Sequence, residues 1–203
     1  MLSKRFVPLA LIVASLIAAG LGPLALSAPA KAAPLQQSAM KVGQVFATIY
    51  VPRYGKSYKH LVAEGTSLPK VLNKVGIGHY TGTQLPGEVG NFAIAGHRFG
   101  NGGPMLKIDK LRTGDRVYVK TSTTWYTYEW LQTKVVKPSA IGSIYPVPEG
   151  LKYPVESGKY LTFTSCTPVH VNTHRIIAWF GYISEQPVAD GMPADLAEVY
   201  VPK

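Results

Sequence analysis

The sequence predicts a mostly β domain, a barrel or a sandwich, and three observations predict it. Between Val42 and Ile183, short β-rich runs follow one another, separated by breaks rich in Pro, Gly and polar residues. Residues 116–121 and 125–136 form an alternating pair across a short polar break, which is a hairpin pattern. Only "TSLPKVLNKVGIG" (66–78) carries a good helical period in the first half. Many short strands with one small helix fit a barrel or sandwich better than any layered α/β plan.

Taken in order, the chain opens with Lys4 and Arg5 and then stays uncharged from Phe6 to Ala30, before Lys31. An apolar run of that length is long enough to cross a hydrocarbon core of roughly 30 Å. Positive charge ahead of an apolar stretch also marks a secretory signal. Residues 1–30 are therefore expected to be a signal-anchor or signal peptide, with Lys4 and Arg5 kept in the cytoplasm. The chain would be a single-pass membrane protein with an extracellular domain, or a secreted one if the segment is cleaved. Residues 31–41, small and polar, are expected to be a linker.

The domain proper is expected over 42–183. "VGQVFATIYVPRY" (42–54) reads as a strand. In 66–78, Leu68, Val71, Leu72 and Val75 recur at helical spacing, and Gly76 marks the stop. "HYTGTQLPGEVG" (79–90) is turn-rich, and "NFAIAGHRF" (91–99) reads as a short buried strand. Residues 139–159, with three prolines and three glycines, form a long loop of the kind that is usually functional or mobile. "YLTFTSC" and "HRIIAWFGYI" close the domain as two more strands. Residues 184–203 form a tail with a helical turn in "PADLAEVY".

The chain carries 21 Lys and Arg against 11 Asp and Glu, a formal charge of +10. Three of those basic residues precede Lys41, so the remainder is still positive. The charge is spread, without a basic run, so it points to an anionic envelope surface rather than to nucleic acid. One cysteine cannot close an intramolecular disulfide, so packing must stabilise this exported domain.

That cysteine, Cys166, ends a strand-like run in which Thr162, Thr164 and Cys166 share one face and Leu161, Phe163 and Ser165 the other. Pro168 stops the ladder just beyond it. A lone cysteine is often only a small hydrophobe; a nucleophilic one needs a base and a polar setting. Of the five histidines, His97 alone is presented from a strand end, after "FAIAG", much as Cys166 is. Its other reading is a strand-end histidine bonded to a carbonyl. His60 lies in a solvated stretch, His170 is near Cys166 only along the chain, and His174 alternates out of phase with Arg175. Arg175 opens the last strand, where its guanidinium can return to the sulfur and donate to an oxyanion, or else lie on an edge strand. The histidines lack metal-ligand spacing, no cofactor is implied, and Glu64, Glu88, Asp109 and Asp115 lie singly in loops without forming an acid/base pair.

"TFTSC" (162–166) resembles the Thr-Leu-x-Thr-Cys signature that closes the seventh strand of sortases, with Arg175 at the position of the signature arginine. "NFAIAGHR" resembles the segment bearing the sortase histidine, and "GHYTGTQLPGEVGNFAIAGHR" (78–98) resembles class E sortases of actinobacteria. Phe163 stands for the usual Leu, Ser165 for the usual Thr, and Thr81 where class E chains often have Pro. The resemblance, from about Val42 to Ile183, implies an eight-stranded sortase-like β-barrel with short helices. It implies cysteine transpeptidation at the cell surface, with Cys166 as nucleophile, His97 as acid and base, and Arg175 holding substrate and oxyanion. The partners it implies are surface proteins bearing a Leu-Ala-x-Thr-Gly or Leu-Pro-x-Thr-Gly sorting signal and an amine of a peptidoglycan precursor. Ser165, Tyr80 and the loop 139–158 are expected to meet the signal. The absence of an Asp-Pro-aromatic lid motif upstream of His97 disfavours the pilus-polymerising class. The competing expectation is an exported β-barrel binding module in which Cys166 merely packs. A transpeptidase acting directly on peptidoglycan stems resembles a Ser-x-Gly-Cys pattern, which "FTSCTP" does not fit.

Overall fold

Eight strands close on themselves in the order β1-β2-β3-β4-β7-β8-β6-β5. They are β1 (Val45–Tyr50), β2 (Lys59–Glu64), β3 (Ile77–His79), β4 (Gly90–Gly96), β5 (Arg116–Lys120), β6 (Thr124–Val136), β7 (Lys159–Thr167) and β8 (His174–Pro187). These come from a computed structural model that describes residues 40–203. The expected signal or anchor segment 1–30 and most of the linker 31–41 lie outside the described residues. Among the described residues, no helix is long and apolar enough to cross a membrane.

The mostly β, eight-stranded barrel is the fold expected. Alternation decides which residues enter it. Phe92 and Ile94 of β4, Leu161 and Phe163 of β7, and Ile176, Ala178 and Phe180 of β8 point inward and are buried. Each large apolar side chain so enclosed contributes about 1.5–3 kcal/mol. The expected hairpin is β5–β6, and β6 continues along β8 through the longest ladder, Thr124↔Pro187 to Val136↔Arg175, with two irregularities. β4 runs parallel to β7 and β2 parallel to β3, while β7 and β8 are antiparallel.

Three details depart from the sequence reading. The helix expected over 66–78 is one wide turn, Leu68–Leu72, in which Leu72 N–H reaches Ser67 O and Asn73 N–H reaches Leu68 O. Pro69 has no N–H to extend a regular ladder, and Ile77 and Gly78 pass into β3. Gly78 is needed there, because a Cβ would meet the Gly65 carbonyl at 2.2 Å. Second, β2 and β3 were not legible as strands. The outer face of β2 does not reach water at Ala63, which packs with Val71, Leu72 and Ala95, so alternation is lost. Third, β8 runs to Pro187, beyond Ile183.

The tail then folds back. A turn Ala194–Ala197 (α1) buries Leu196 against Tyr50, Tyr118 and Trp125, and Val201 N–H donates to Lys56 O. Its packing is on β1, β5 and β6, and Gln186 near the C-terminal end of β8 donates to Gly191 O.

Candidate active site

Cys166 is the penultimate residue of β7 and is partly exposed. Its antiparallel partner is Arg175, the second residue of β8. Directly opposed residues place their Cβ atoms about 4.5–5.5 Å apart on one face, so the guanidinium-bearing side chain springs from beside the sulfur. Arg175 Nη1 donates to the carbonyls of Asn172 in the β7–β8 loop (3.3 Å) and of His174, the first residue of β8 (3.0 Å).

The parallel ladder of β4 and β7 runs to Ala95↔Thr164. The Ser165 hydroxyl carries it one step further by donating to Gly96 O at 2.8 Å. Continued one step past the end of β4, this register sets His97 beside Cys166. A row His97–Cys166–Arg175 thus forms at the ends of three adjacent strands, with His97 the first residue beyond β4. It lies on the face opposite the core, because Phe163 and Ile176 of the neighbouring positions point inward.

Two devices hold His97. Arg98, nearly buried, donates to Thr167 Oγ1 (3.1 Å) and Leu106 O (3.2 Å) and pairs with Asp109 at 2.9 Å. The residues just after His97 and just after Cys166 are therefore tied directly together. The ring itself meets Asn73 Oδ1 through Nε2 at 2.8 Å. Asn101 Nδ2 also donates to that oxygen, at 3.2 Å. Asn73 Oδ1 is thus an acceptor, which makes Nε2 the protonated ring nitrogen and leaves Nδ1 as the other. Asn73 closes the wide turn whose Val71 and Leu72 pack on Ala95 of β4, so imidazole and amide share one support. No sequence signal pointed to Asn73, which is 24 residues from His97.

A cavity of about 170 Å³ opens next to the row. Thr164 and Ile177, one alternation back from Cys166 and Arg175, form its floor, with Arg175 at one end. Tyr80 bounds it and meets Thr164 Oγ1 at 2.9 Å. The expected loop supplies the opposite wall through Ala140, Ile141 and Ile144. That loop is pinned to the barrel: Trp179 Nε1 donates to Ser143 O, and Gln132 and Lys134 both donate to Gly150 O.

The expectation for Ser165 needs correction. Its side chain is buried on the inward face and spends its hydroxyl on Gly96 O, so it ties β7 to β4 and does not line the cavity. The carboxylates also differ from the expectation of single loop residues. Glu64 ends β2, where the parallel register sets it beside His79, and its Oε2 lies 2.6 Å from His79 Nδ1. Asp115 pairs with Arg53, and Asp109 with Arg98. His60 packs on Tyr58, and burial lowers its pKa. His170 packs against Phe99, with ring centroids 4.0 Å apart and the rings tilted by 59°.

Residues 49–180 match the sortase domain family model. The chain belongs to the sortase family. Among its relatives it is similar to sortase SrtE1 of Streptomyces coelicolor, at 36% identity over 159 residues, covering 74% of this chain and 44% of that protein. It is also 38% identical to SrtE2 of the same organism, covering 59% of this chain and 49% of that one. The chain thus spans less than half the length of these curated relatives. Among solved structures, sortase E of Streptomyces avermitilis is 41% identical with a TM-score of 0.69, covering 77% of this chain and 99% of that one. Sortase E1 of Streptomyces coelicolor, solved with a tripeptide in its active site, is 34% identical with a TM-score of 0.72, covering 76% and 97%. The likeness is thus to class E sortases.

Proposed function

We propose that this protein is a cell-surface cysteine transpeptidase. It cleaves a C-terminal sorting signal between Thr and Gly and joins the new Thr carboxyl to an amine of a peptidoglycan precursor. The observation that carries this reading is the row His97–Cys166–Arg175 at the ends of β4, β7 and β8, beside a cavity floored by Thr164 and Ile177. The likeness to class E sortases, one of them solved with a tripeptide in its active site, supports it independently.

In this mechanism the Cys166 sulfur attacks the Thr carbonyl carbon as a thiolate, which is the nucleophilic form of the side chain. The C=O electrons move onto oxygen, where the Arg175 guanidinium donates to the developing oxyanion. Collapse breaks the C–N bond, and the imidazolium of His97 gives its proton to the departing Gly amine. This leaves a thioester on Cys166 and a neutral imidazole. An incoming amine then attacks the thioester, His97 takes the amine's proton, and the C–S bond breaks to regenerate the thiolate. The hydrogen bond from Nε2 to Asn73 leaves Nδ1 to carry this proton. Tyr80 and the loop 139–158 read the signal. The first 30 residues hold the domain at the membrane, where both partners reside, or release it if they are cleaved.

The test uses the full chain with Leu-Ala-x-Thr-Gly and Leu-Pro-x-Thr-Gly peptides and an amine acceptor, followed by mass spectrometry. The expected result is an acyl adduct on Cys166 and a Thr–amine product, with the alanine-bearing peptide preferred and neither species formed by Cys166→Ala. A thiol that alkylates readily but never acylates with either peptide would sink the proposed signals. A thiol inert to both would favour the binding module.

A further inference from the structure

Beneath the cavity wall lies a pair of titratable residues that the proposed chemistry does not use. Glu64 and His79 are essentially without solvent exposure, at 2% and 0%. They sit side by side at the ends of the parallel strands β2 and β3, with the rings of Phe46 and Phe92 against the imidazole. Every polar atom of the pair is engaged. Glu64 Oε1 accepts from the Thr81 hydroxyl, and Oε2 meets His79 Nδ1 at 2.6 Å. His79 Nε2 lies 3.1 Å from the Gln84 carbonyl, which can only accept, and 2.9 Å from Thr83 Oγ1. The Thr83 hydroxyl in turn donates to Tyr80 O.

We propose that Glu64 and His79 are positioning residues for Tyr80. They fix the turn 80–84 so that the phenol spans to Thr164 and sets the width of the cavity that meets the sorting signal. This rests on the reading of that cavity as the signal site.

A desolvated carboxylate–imidazole pair in an apolar setting gains little stability over apolar packing. What it supplies is direction. The two strands end side by side, and each of the next residues is tied back to them. Thr81 bonds Glu64, Thr83 and Gln84 bond His79, and Thr83 bonds the Tyr80 carbonyl, while Tyr80 N–H donates to Ala93 O of β4. The turn is thus held from β2, β3 and β4 together. The only part of Tyr80 left to reach outward is its side chain, which crosses to Thr164, two residues before Cys166 on the same face. A residue selected only for stability at position 64 or 79 would not need this set of aimed bonds.

The experiment compares the full chain with Glu64→Gln, Tyr80→Phe and the double variant. The first readout is the ratio of kcat/KM for the two sorting-signal peptides. Glu64→Gln keeps the shape and removes the charge. It is expected to reduce discrimination roughly three- to tenfold, the worth of one or two lost hydrogen bonds, through KM with kcat nearly unchanged. In the Tyr80→Phe background the same substitution is expected to add nothing further. An unchanged ratio, or an equal drop in both backgrounds, overturns the proposal. The second readout needs no turnover: nitration of Tyr80 by tetranitromethane, followed by peptide mass mapping, is expected to rise in Glu64→Gln. Protection equal to the parent overturns the proposal. If the parent acylates neither peptide, the proposed function fails, and nitration alone decides the positioning role. If Glu64→Gln does not fold, Thr81→Val replaces it in both readouts, with the same outcomes at reduced size.

Discussion

The outer surface of this barrel is treated in opposite ways on its two sides. Over β1, β5 and β6 it is paved with Tyr50, Tyr118 and Trp125 and then roofed by the tail, whose Leu196 is fully buried between them. Over β7 and β8 the corresponding face carries Thr164 and Ile177, neither of them aromatic, under a loop that leaves a cavity of about 170 Å³. Cys166, two residues beyond Thr164 on the same strand, stays partly exposed. The same alternation of in and out serves both sides. What differs is the size of the outward side chains and whether a segment covers them. The roofed side works to hold the barrel, and the open side is the one proposed to hold a substrate.

Substitutions on the two sides should therefore separate activity from stability. Cys166→Ala has the largest expected effect: complete loss of the acyl adduct in mass spectra, with an unfolding midpoint within error of the parent. Arg175→Lys comes next. Lysine keeps the charge but loses the planar fork, so acylation should fall about 10²-fold, the range for removing one oxyanion donor, again without a change in the melting curve. A fall in the melting point matching the loss of rate would mean that Arg175 belongs to the scaffold. Leu196→Ala inverts the pattern. Removing a buried leucine costs about 2–5 kcal/mol, and the cost should appear in urea titrations followed by tryptophan fluorescence near the tail. Acylation by the folded protein should match the parent. A parallel loss of acylation would show that the tail is coupled to the open face.

What could be read from the sequence follows from burial. β4, β7 and β8 were legible as apolar runs without a period of two, because β4 is buried along its whole length, β7 over residues 160–165 and β8 over 176–181, and Cys166, His97 and Arg175 stood out where those runs begin or end. β2 and β3 were not legible, because β3 is only three residues long and β2 starts exposed and ends buried, so neither makes a full apolar run or an alternating one. Ser165 was misjudged for a related reason: its neighbour in sequence is the thiol, but alternation sends its hydroxyl inward to Gly96. Glu64 and His79 stand 15 residues apart and meet only because β2 and β3 pair in parallel, a contact that no local pattern encodes. Asn73 is beyond sequence reading in the same way.

Asn73→Ala tests the open side at finer grain. The ring of His97 would keep its strand but lose its one amide acceptor. A neutral or singly charged hydrogen bond of this kind contributes about 0.5–1.5 kcal/mol, or more if the imidazole is charged. Acylation should therefore fall a few-fold to about tenfold in kcat, with KM for peptide unchanged. Asn73→Asp should restore the acceptor and with it most of the lost rate. A rate in Asn73→Asp as low as in Asn73→Ala would show that this acceptor does not govern the ring.

The smallest expected effect lies on the roofed side and is one of pH. Asp195 of α1 accepts from Arg116 Nη1 and from the Tyr118 hydroxyl at 2.7 Å. Burial pushes its pKa up, but these hydrogen bonds and the charge of Arg116 together outweigh burial and hold it below its ordinary value. A carboxylate whose pKa is depressed on folding contributes stability above its unfolded value, and that contribution is lost as pH falls through the folded one. Docking of the tail should accordingly be constant at neutral pH and weaken only below about pH 4. Because the Arg116 and Asp195 side chains are 40% and 41% exposed, solvent screens the pair and the loss should be within about 1 kcal/mol. Asp195→Asn should remove this acid dependence from the fluorescence titration, leaving acylation at neutral pH unchanged. An identical acid limb in the variant would assign the dependence to another group.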